Sequence, residues 1–320
     1  MMRPKPEVLV IGAGVSGLTT ALLLAKNNLR VRIWTRDALL RTTSCAAGAL
    51  WGPYLVSDQR VLPWATQTRL ELERLAVRDR SCGVRVVYGH EAARTAAPPP
   101  GWATELPGFR TSRPDELPAG FTTGWWYRAP IVDMPTYLRY LYDRFTDCGG
   151  KLDQRAVGSL AEAVAEAPVV VNCAGYDARN LVPDASLRPT RGQIVVVDDP
   201  GIEEFFAEHD ESEEPTYILP QHDHGRVVLG GSVEPGRTDR VPDERISTAI
   251  RRRCAEVMPA LRDARVVEVR VGLRPTRSRV RLERTAVDGG HVIHNYGHGG
   301  GGVTLSWGCA HDVLSLINAI

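Results

Sequence analysis

Three glycines near the start of the sequence have the spacing of a phosphate-binding turn. Gly12, Gly14 and Gly17 form a Gly-x-Gly-x-x-Gly pattern directly after the apolar run 8–11, and a helical pattern follows. Gly12 permits a tight turn, Gly14 lets the backbone approach a pyrophosphate, and Gly17 lets the helix pack closely on the strand. The free N–H groups at the helix start then bind the pyrophosphate. The pattern predicts a dinucleotide site; the alternative is a β-α turn that binds nothing.

The end of the second predicted strand, 31–34, bears on which dinucleotide binds. A carboxylate at this point normally holds the ribose hydroxyls. Thr35 occupies the position, and Arg36 and Asp37 follow it. Arg36 would suit a 2′-phosphate and hence NADP, whereas Asp37 can reach a ribose from one turn further on. We favour Asp37 because the far end of the chain indicates a different cofactor.

A second stretch suited to ligand binding occupies residues 41–54. Thr42, Thr43 and Ser44 offer hydroxyl donors to phosphate, and the small residues at 46–49 let the backbone approach a flat ring. A helix cap with a small-residue packing face is the alternative interpretation. Further along, a buried strand predicted at 168–175 ends in Gly175, where the backbone would meet a ligand again.

Glycines also open the last predicted helix. The strand predicted at 292–296 leads into Gly-His-Gly-Gly-Gly-Gly at 297–302, and a helix runs from Val303 towards Ile317. The N–H groups and the positive end of a helix bind anions. A second anion site fits FAD better than NAD, because the isoalloxazine lies far from the pyrophosphate and its reduced form is negatively charged. No histidine or cysteine is needed as a flavin anchor, so we predict non-covalent FAD.

The composition excludes several classes of function. The chain has 320 residues, with 39 Lys+Arg against 38 Asp+Glu and a net charge of +1. This length predicts two domains. No basic stripe indicates nucleic acid, and no long apolar or polybasic run indicates a membrane. The cysteines are scattered without a Cys-x-x-Cys pair, which is typical of reduced thiols in a cytoplasmic protein rather than a disulfide framework or metal site. No signal peptide is predicted.

The elements around these motifs predict an α/β fold, in which a Rossmann-like FAD-binding domain carries an inserted antiparallel-sheet substrate domain. The FAD-binding domain is predicted to comprise residues 1–55, 130–187 and 264–320, and the substrate-binding domain residues 56–129 and 188–263. The predicted helices are 61–77, 134–148, 161–166, 244–257 and 303–317. The predicted strands beyond the first two are 84–88, 121–127, 151–157, 168–175, 191–197, 216–220, 226–231, 265–273 and 292–296.

Taken together, these motifs and their order resemble FAD-dependent D-amino acid oxidases of the bacterial type. The most specific segment is Ile-His-Asn-Tyr-Gly-His-Gly-Gly at 293–300, followed by Trp-Gly-Cys-Ala at 307–310. The other matching segments are 12–17, Ala-Ala-Gly-Ala-Leu-Trp at 46–51, Asn-Cys-Ala-Gly at 172–175, Arg-Gly-Gln at 191–193, Tyr-Ile-Leu-Pro at 217–220 and Gly-Leu-Arg-Pro at 272–275. The resemblance covers nearly the whole chain.

The resemblance implies oxidative deamination of a D-amino acid. Hydride passes to FAD, the imine hydrolyses to a 2-oxo acid and ammonia, and O₂ reoxidises the flavin to give hydrogen peroxide. It also implies three catalytic residues: Arg281 grips the substrate carboxylate, Tyr217 hydrogen-bonds the same group, and the Gly300 carbonyl accepts from the amine. A guanidinium fork suits a carboxylate. No general base is expected, because positioning of the α-C–H bond does most of the work.

The predicted cofactor-binding residues come from the glycine turn, the second strand end, the hydroxyl-rich stretch, the two later strand ends and the last helix. They are Gly12, Ala13, Gly14, Val15, Ser16, Gly17, Arg36, Asp37, Thr42, Thr43, Ser44, Ala47, Gly48, Ala49, Val157, Cys173, Ala174, Gly175, Arg281, Gly297, Gly299, Gly300, Gly301, Gly302, Val303 and Thr304.

Departures from the family bear on the substrate. Glu213 falls where mammalian members have a pocket tyrosine, and Gly52 replaces a glutamine. We expect neutral apolar D-amino acids to be preferred, since a nearby carboxylate repels acidic substrates; Glu213 could instead face water. The alternatives are a flavin oxidase for glycine or N-methyl amino acids, and an NAD(P)-binding reductase or regulatory protein. The expected partners are a small substrate and O₂, and a homodimer is left open.

Several of these residues also have purely structural interpretations. Arg281 could be a surface ion-pair partner, as could Arg274, Arg277 and Arg279. Tyr217 could be a core tyrosine of a strand. His298 is expected to orient the glycine loop rather than to take part in chemistry.

Overall fold

The computed structural model describes residues 7–53, 59–209, 214–221 and 224–320. It begins with the predicted β-α-β unit: strand β1 (Val8–Ile11), helix α1 (Val15–Lys26) and strand β2 (Val31–Thr35), which pairs parallel to β1. All residues of β1 are buried, which accounts for its continuous apolar run, since parallel strands are covered on both faces.

A parallel sheet grows on both sides of β1. Strand β6 (Lys151–Gln154) pairs with β2, strand β7 (Val169–Asn172) pairs with β1, and strand β14 (Gly290–His298) pairs with β7, all parallel. Helices α1, α3 (Met134–Asp147) and α6 (Gly302–Asn318) pack together on one face, and α4 (Leu160–Glu166) covers the other. This is the predicted Rossmann-like part of the fold.

The antiparallel part continues the same sheet. Its strands are β3 (Val84–Ala93), β4 (Arg110–Thr111), β5 (Thr123–Val132), β8 (Arg188–Asp198), β9 (Phe205–Glu208), β10 (Tyr217–Gln221), β11 (Arg226–Gly230), β12 (Glu234–Pro235) and β13 (Val266–Val287). From β14 outward the order is β13, β8, β11, β10, β9, β3, β5 and β4, while β12 pairs with the start of β8. All of these pairs are antiparallel except β9 with β3, which pair parallel. Helix α5 (Glu244–Val257) packs on β8 and β11.

Strand β13 joins the two parts of the sheet. Its first half, from Val266 to Thr276, pairs with β8, and its second half, from Arg281, pairs with β14. The register with β14 shifts between Thr276 and Arg281. The strand predicted at 265–273 is therefore too short, because the arginine-rich residues beyond it stay in the sheet and extend their side chains to carboxylate and carbonyl oxygens.

The other predicted helices are confirmed to within one or two residues, as is the hairpin of β10 and β11. All cysteines are free thiols, and only Cys148 is exposed. Within the described ranges, no helix has both the length and the apolar character that crossing a bilayer requires.

The division into two domains stays a prediction. Strand pairing runs through both parts of the sheet without interruption. Helix α2 (Val61–Arg78), which the prediction assigns to the substrate domain, packs on α6, which the prediction assigns to the other domain. Trp64 Nε1 donates to Asp312 at 2.8 Å, and the backbone N–H groups of Trp307 and Gly308 donate to Thr68 Oγ1 at 3.2 and 3.1 Å.

We predict that Gly308→Ala lowers the free energy of unfolding by about 1–3 kcal/mol, the usual cost of overpacking. A Cβ atom there would lie 2.3 Å from the Cα of Trp64, so α2 and α6 must separate. Gly101→Ala is the control, because nothing lies within 4 Å of its added Cβ. Urea unfolding of both variants measures the difference, and equal stabilities would contradict the close packing described here.

Candidate active site

A cavity of about 800 Å³ opens at the carboxyl ends of the parallel strands and reaches the antiparallel sheet. It is lined by the residues that follow β1, β2 and β7, by the starts of α1 and α6, and by residues of β8, β10 and β13. Ligands of open α/β sheets bind at this edge. The volume is that of a pocket for a small molecule or cofactor.

The glycine turn at one end has no room for side chains. Gly12 has φ +101°, and a Cβ there would lie 2.6 Å from the Cys173 carbonyl oxygen. A Cβ at Gly17 would lie 1.9 Å from the Gly12 carbonyl oxygen. Val15 N donates to Ser44 Oγ at 3.0 Å, which ties the hydroxyl-rich stretch to the start of α1. The turn therefore has the backbone form that a pyrophosphate requires.

Charged residues surround the end of β2. Arg36 donates to both carboxylate oxygens of Asp37 at 3.0 and 2.7 Å and lies 3.0 Å from Asp177. Arg240 lies 3.8 Å from Asp37. The hydrogen bond from Arg36 lowers the pKa of Asp37. Because two carboxylates already surround Arg36, this end of the cavity is a poor site for a 2′-phosphate; that Asp37 holds a ribose stays a prediction.

The glycine loop before α6 lines the other side of the cavity. Gly299 N donates to the Pro275 carbonyl and Gly301 N to the His298 carbonyl, both at 2.9 Å. Burial lowers the pKa of His298 to about 4, so its ring is neutral at neutral pH. The ring lies 3.1 Å from Asn295 Oδ1. These contacts agree with the expected structural role of His298.

Most of the predicted cofactor-binding residues line this cavity. Within the described chain, Gly17, Gly297, Gly301, Thr304 and Arg281 are not among the lining residues. The first four are each next to a lining residue in the chain, and Gly17 also packs on the Gly12 carbonyl. Only Arg281 is held elsewhere by charged partners.

Arg281 is separated from the cavity that it was predicted to serve. Its Nε donates to Glu283 at 2.7 Å, its Nη1 donates to the hydroxyl of Tyr296 at 2.8 Å, and it lies 3.7 Å from Asp184. A guanidinium so engaged does not fit the role of carboxylate anchor. These contacts give no support to the predicted role of Arg281 towards substrate or cofactor: its side chain, only 19% exposed, forms ion pairs instead.

Arg274 takes the position at the cavity that the prediction gave to Arg281. It lines the cavity together with Tyr217. Its Nη1 donates to the Ser232 carbonyl at 3.0 Å, and among the described residues it has no carboxylate partner. The sequence interpretation gave Arg274 no role at the site and counted it among the arginines that could be surface ion-pair partners, although it lies in the family segment Gly-Leu-Arg-Pro at 272–275.

Glycines shape this end of the cavity around the two side chains. A Cβ at Gly192 would lie 2.5 Å from the guanidinium of Arg274, and one at Gly230 would lie 1.8 Å from the ring of Tyr217. Burial raises the pKa of the Tyr217 hydroxyl, although the charge of Arg274 opposes this. The phenol therefore keeps its proton and can donate a hydrogen bond beside a fixed positive charge.

His209 is a further lining residue that sequence reasoning missed. Its Nδ1 lies 2.5 Å from Glu91 Oε1, and Glu91 also accepts from the hydroxyl of Tyr127 at 2.5 Å. Glu91 is fully buried. No local signal could have paired these residues, because they are 118 positions apart. Glu213, predicted to face the pocket, lies outside the described residues.

A family model described as FAD dependent oxidoreductase matches residues 7–316. The chain belongs to this family. FAD is therefore the cofactor of the oxidoreductase, and the glycine turn and the α6 loop fit its pyrophosphate and ring. The oxidoreductase is 48% identical to a "D-amino-acid oxidase" of Streptomyces coelicolor over 97% of this chain and 96% of that protein. It is 46% identical to a "D-amino-acid oxidase" of Rubrobacter xylanophilus over 99% and 97%.

Solved structures confirm the fold of the oxidoreductase. Glycine oxidase from Geobacillus kaustophilus superposes with a TM-score of 0.83 at 20% identity, covering 98% of this chain and 95% of that one. L-proline dehydrogenase from P. horikoshii gives a TM-score of 0.81 at 15% identity, covering 99% and 94%. At these identities the likeness concerns the arrangement of the chain.

The cluster around Asp184 yields a test of stability against pH. Burial opposes ionisation of Asp184, but hydrogen bonds from Ser186 and Tyr296 and the charge of Arg277 together lower its pKa to about 2. A lowered carboxyl pKa stabilises the fold above the unfolded-state value of about 4 and loses that contribution as the pH falls to about 2.

We predict that Asp184→Asn destabilises the oxidoreductase by about 2 kcal/mol at pH 7, and that the deficit disappears between about pH 4 and pH 2. Urea unfolding across this pH range measures it. Asp115→Asn is the control, since this carboxylate is 73% exposed beside Arg113. A deficit that does not depend on pH would mean that the charge of Asp184 is not what stabilises the fold.

Proposed function

We propose that the oxidoreductase oxidises D-amino acids to 2-oxo acids, ammonia and hydrogen peroxide. The observation that carries the proposal is the pair of Arg274 and Tyr217, which meet at the wall of a cavity whose far end is the glycine turn. The names of the two bacterial relatives support the substrate class. An anchor for a carboxylate beside a flavin cavity suits an amino acid substrate.

In this proposal Arg274 binds the substrate carboxylate and Tyr217 donates to the same group. The planar guanidinium can bind a carboxylate through two parallel hydrogen bonds, and both residues are held by glycine contacts that restrict their movement. The Gly300 carbonyl, predicted to accept from the substrate amine, belongs to a residue that lines the same cavity. Three fixed contacts would orient the α-C–H bond.

The chain's own contribution is orientation and charge. The glycine turn and the loop before α6 would hold FAD, which when bound would supply a two-electron acceptor that O₂ can reoxidise. We assign no side chain as a general base: His209 is paired with Glu91, and Glu208 accepts from Arg94 Nε at 2.6 Å and from Thr216 N at 3.1 Å. The imine product leaves the site and hydrolyses in water.

An oxidase for glycine or N-methyl amino acids is less well supported. The likeness to glycine oxidase is at 20% identity and concerns the fold, whereas the relatives that share nearly half of the sequence carry the D-amino-acid oxidase name. The cytoplasmic location and the homodimer stay predictions of the sequence, and sedimentation of the purified protein tests the second.

Peroxide release from purified holoenzyme tests the proposed function. We expect hydrogen peroxide from D-alanine, with an equal amount of ammonia, and none from L-alanine. Glycine and sarcosine are assayed in parallel. Turnover of sarcosine or glycine above that of every D-amino acid would replace the proposed function by its alternative.

Acid precipitation should leave the flavin in the supernatant if FAD is non-covalent; yellow colour retained in the washed pellet would contradict this.

We predict that Arg274→Ala raises KM by an amount equivalent to about 2–4 kcal/mol, because a buried charge-assisted contact with the carboxylate is lost. Arg274→Lys should recover part of the effect, since it keeps the charge without the fork. Arg281→Ala should leave KM much closer to wild type. The opposite order of the two alanine variants would restore Arg281 as the carboxylate anchor.

We also predict a preference for neutral apolar D-amino acids. Ile194, Leu219 and Val233 line the cavity and offer an apolar wall to the substrate side chain, whereas the lining residue Glu208 is already paired with Arg94. His209 adds no net positive charge, since Glu91 balances it. A carboxylate about 4–6 Å from a second substrate carboxylate repels it by a few kcal/mol at an effective dielectric near 20.

The ratio of kcat/KM for D-valine to that for D-aspartate measures this preference, and a ratio of one or less would refute it. Glu213→Arg asks whether Glu213 contributes: a selective gain with D-aspartate places it near the substrate, and an unchanged ratio removes it from the argument.

A further inference from the structure

We propose that the ion pair between the buried Arg191 and the partly buried Glu234 positions Arg274, and that it thereby sets the affinity of the site for carboxylates. The inference rests on the proposed role of Arg274 as the anchor for the substrate. It adds two residues that do not themselves line the described cavity but act through the Ser232 carbonyl.

Arg191 is an unusual residue for the centre of a sheet, because its side chain is 0% exposed. One of its nitrogens is bonded to Glu234 Oε2. Another donates to Gln193 Oε1 at 3.0 Å and to the Val241 carbonyl at 2.5 Å. A second carboxylate, Asp239, lies 3.6 Å from Nε but is 41% exposed. Glu234 is therefore the principal counter-charge of a guanidinium that water does not reach.

The ion pair is connected to Arg274 through one residue. Ser232 Oγ donates to Glu234 Oε2 at 3.3 Å and accepts from Gln193 N at 3.1 Å. Ser232 N donates to the Gln193 carbonyl at 3.2 Å. Both the side chain and the backbone of Ser232 are thus held against β8, and its carbonyl accepts from Arg274 Nη1 at 3.0 Å.

The opposite side of the guanidinium is set by the same short segment of β8. Arg274 lies on Gly192, the residue between Arg191 and Gln193, and an added Cβ there would be 2.5 Å from the guanidinium. The Arg191 carbonyl lies 3.5 Å from Arg274 Nη1 as a second, weaker acceptor. Arg274 is therefore fixed by neutral carbonyl groups, so its charge stays available to a carboxylate ligand.

Removing the charge of Glu234 should make the positions of Ser232 and Arg274 less fixed. A buried guanidinium without its counter-charge draws in other groups or water, because an unpaired buried charge is costly. The residues that can respond are those of 232–241, including Ser232. Loss of a fixed Ser232 carbonyl would let Arg274 take several orientations, of which only one suits the substrate, so affinity falls while the reacting groups stay intact.

The experiment compares wild-type holoenzyme with Glu234→Gln, Asp198→Asn and Arg274→Lys. The Kd of isobutyrate, a non-reacting monocarboxylate, is read from the change in flavin absorbance, and KM and kcat are measured with D-alanine. We expect Glu234→Gln to raise Kd and KM together by about tenfold, the factor that corresponds to 1.4 kcal/mol, with kcat within about twofold. Its flavin spectrum without ligand should be that of wild type.

Asp198→Asn is the matched control. Asp198 is bonded to Arg226 and lies on the same strand β8, but neither residue lines the cavity in the described structure. It should lower Tm without changing the Kd of isobutyrate. Glu234→Asp should recover part of the wild-type Kd, because it restores the charge one methylene further away.

The outcomes separate this inference from the proposed function. If Arg274→Lys weakens isobutyrate binding but Glu234→Gln binds it as well as Asp198→Asn does, the positioning role is wrong and the proposed function stands. If Arg274→Lys leaves Kd unchanged, Arg274 is not the carboxylate anchor and the positioning role falls with it, whereas peroxide release from D-alanine decides the proposed function on its own. Should Glu234→Gln fail to fold, Ser232→Ala, which removes only the connecting hydroxyl, must raise Kd; an unchanged Kd in that variant rejects the proposal.

Discussion

The absence of a side chain at a few glycines is the constraint on which this structure depends. Helix α1 can approach the turn before it only because Gly17 leaves the Gly12 carbonyl oxygen uncovered, at a distance that no Cβ allows. That approach brings the helix start to the edge of the sheet, where its N–H groups face the cavity. At the other end of the cavity, glycines allow two side chains to approach the backbone closely: Arg274 lies on Gly192 and Tyr217 lies on Gly230. At both ends of the cavity the close contacts therefore require glycine, because a Cβ at these positions would displace the neighbouring atoms.

The parts of the site that the sequence predicts well are those encoded locally. The spacing of three glycines, a buried strand before them and a helix after them are sufficient to place the phosphate turn, because every contact involved is between near neighbours in the chain. The same holds for the helices, whose apolar periodicity is uninterrupted. Arg36 and Asp37 line the cavity, since the end of a strand defines where the next residues lie, and their role towards a cofactor stays a prediction.

Local sequence patterns could not tell which of Arg274 and Arg281 lies at the cavity. Side chains alternate along a regular strand, so counting residues normally tells which of them share a face. The register shift between Thr276 and Arg281 interrupts that count in the middle of the arginine-rich segment. The partners that decide the matter, Asp184 for one arginine and Ser232 for the other, come from distant parts of the chain. Long-range pairs such as Glu91 with His209 are invisible to sequence reasoning for the same reason.

Strand β13 connects the two parts of the sheet through backbone hydrogen bonds to a different partner in each half. Its 22 residues are hydrogen-bonded to β8 over one part and to β14 over the other. Two bodies that share a strand in this manner cannot swing apart about a hinge without breaking a ladder of backbone hydrogen bonds. The distance between Arg274 and the glycine loop before α6 is consequently fixed by the sheet itself. We expect entry of substrate and release of product to depend on small movements at the rim of the cavity. The relative positions of the groups that line the cavity should be the same before and after each turnover.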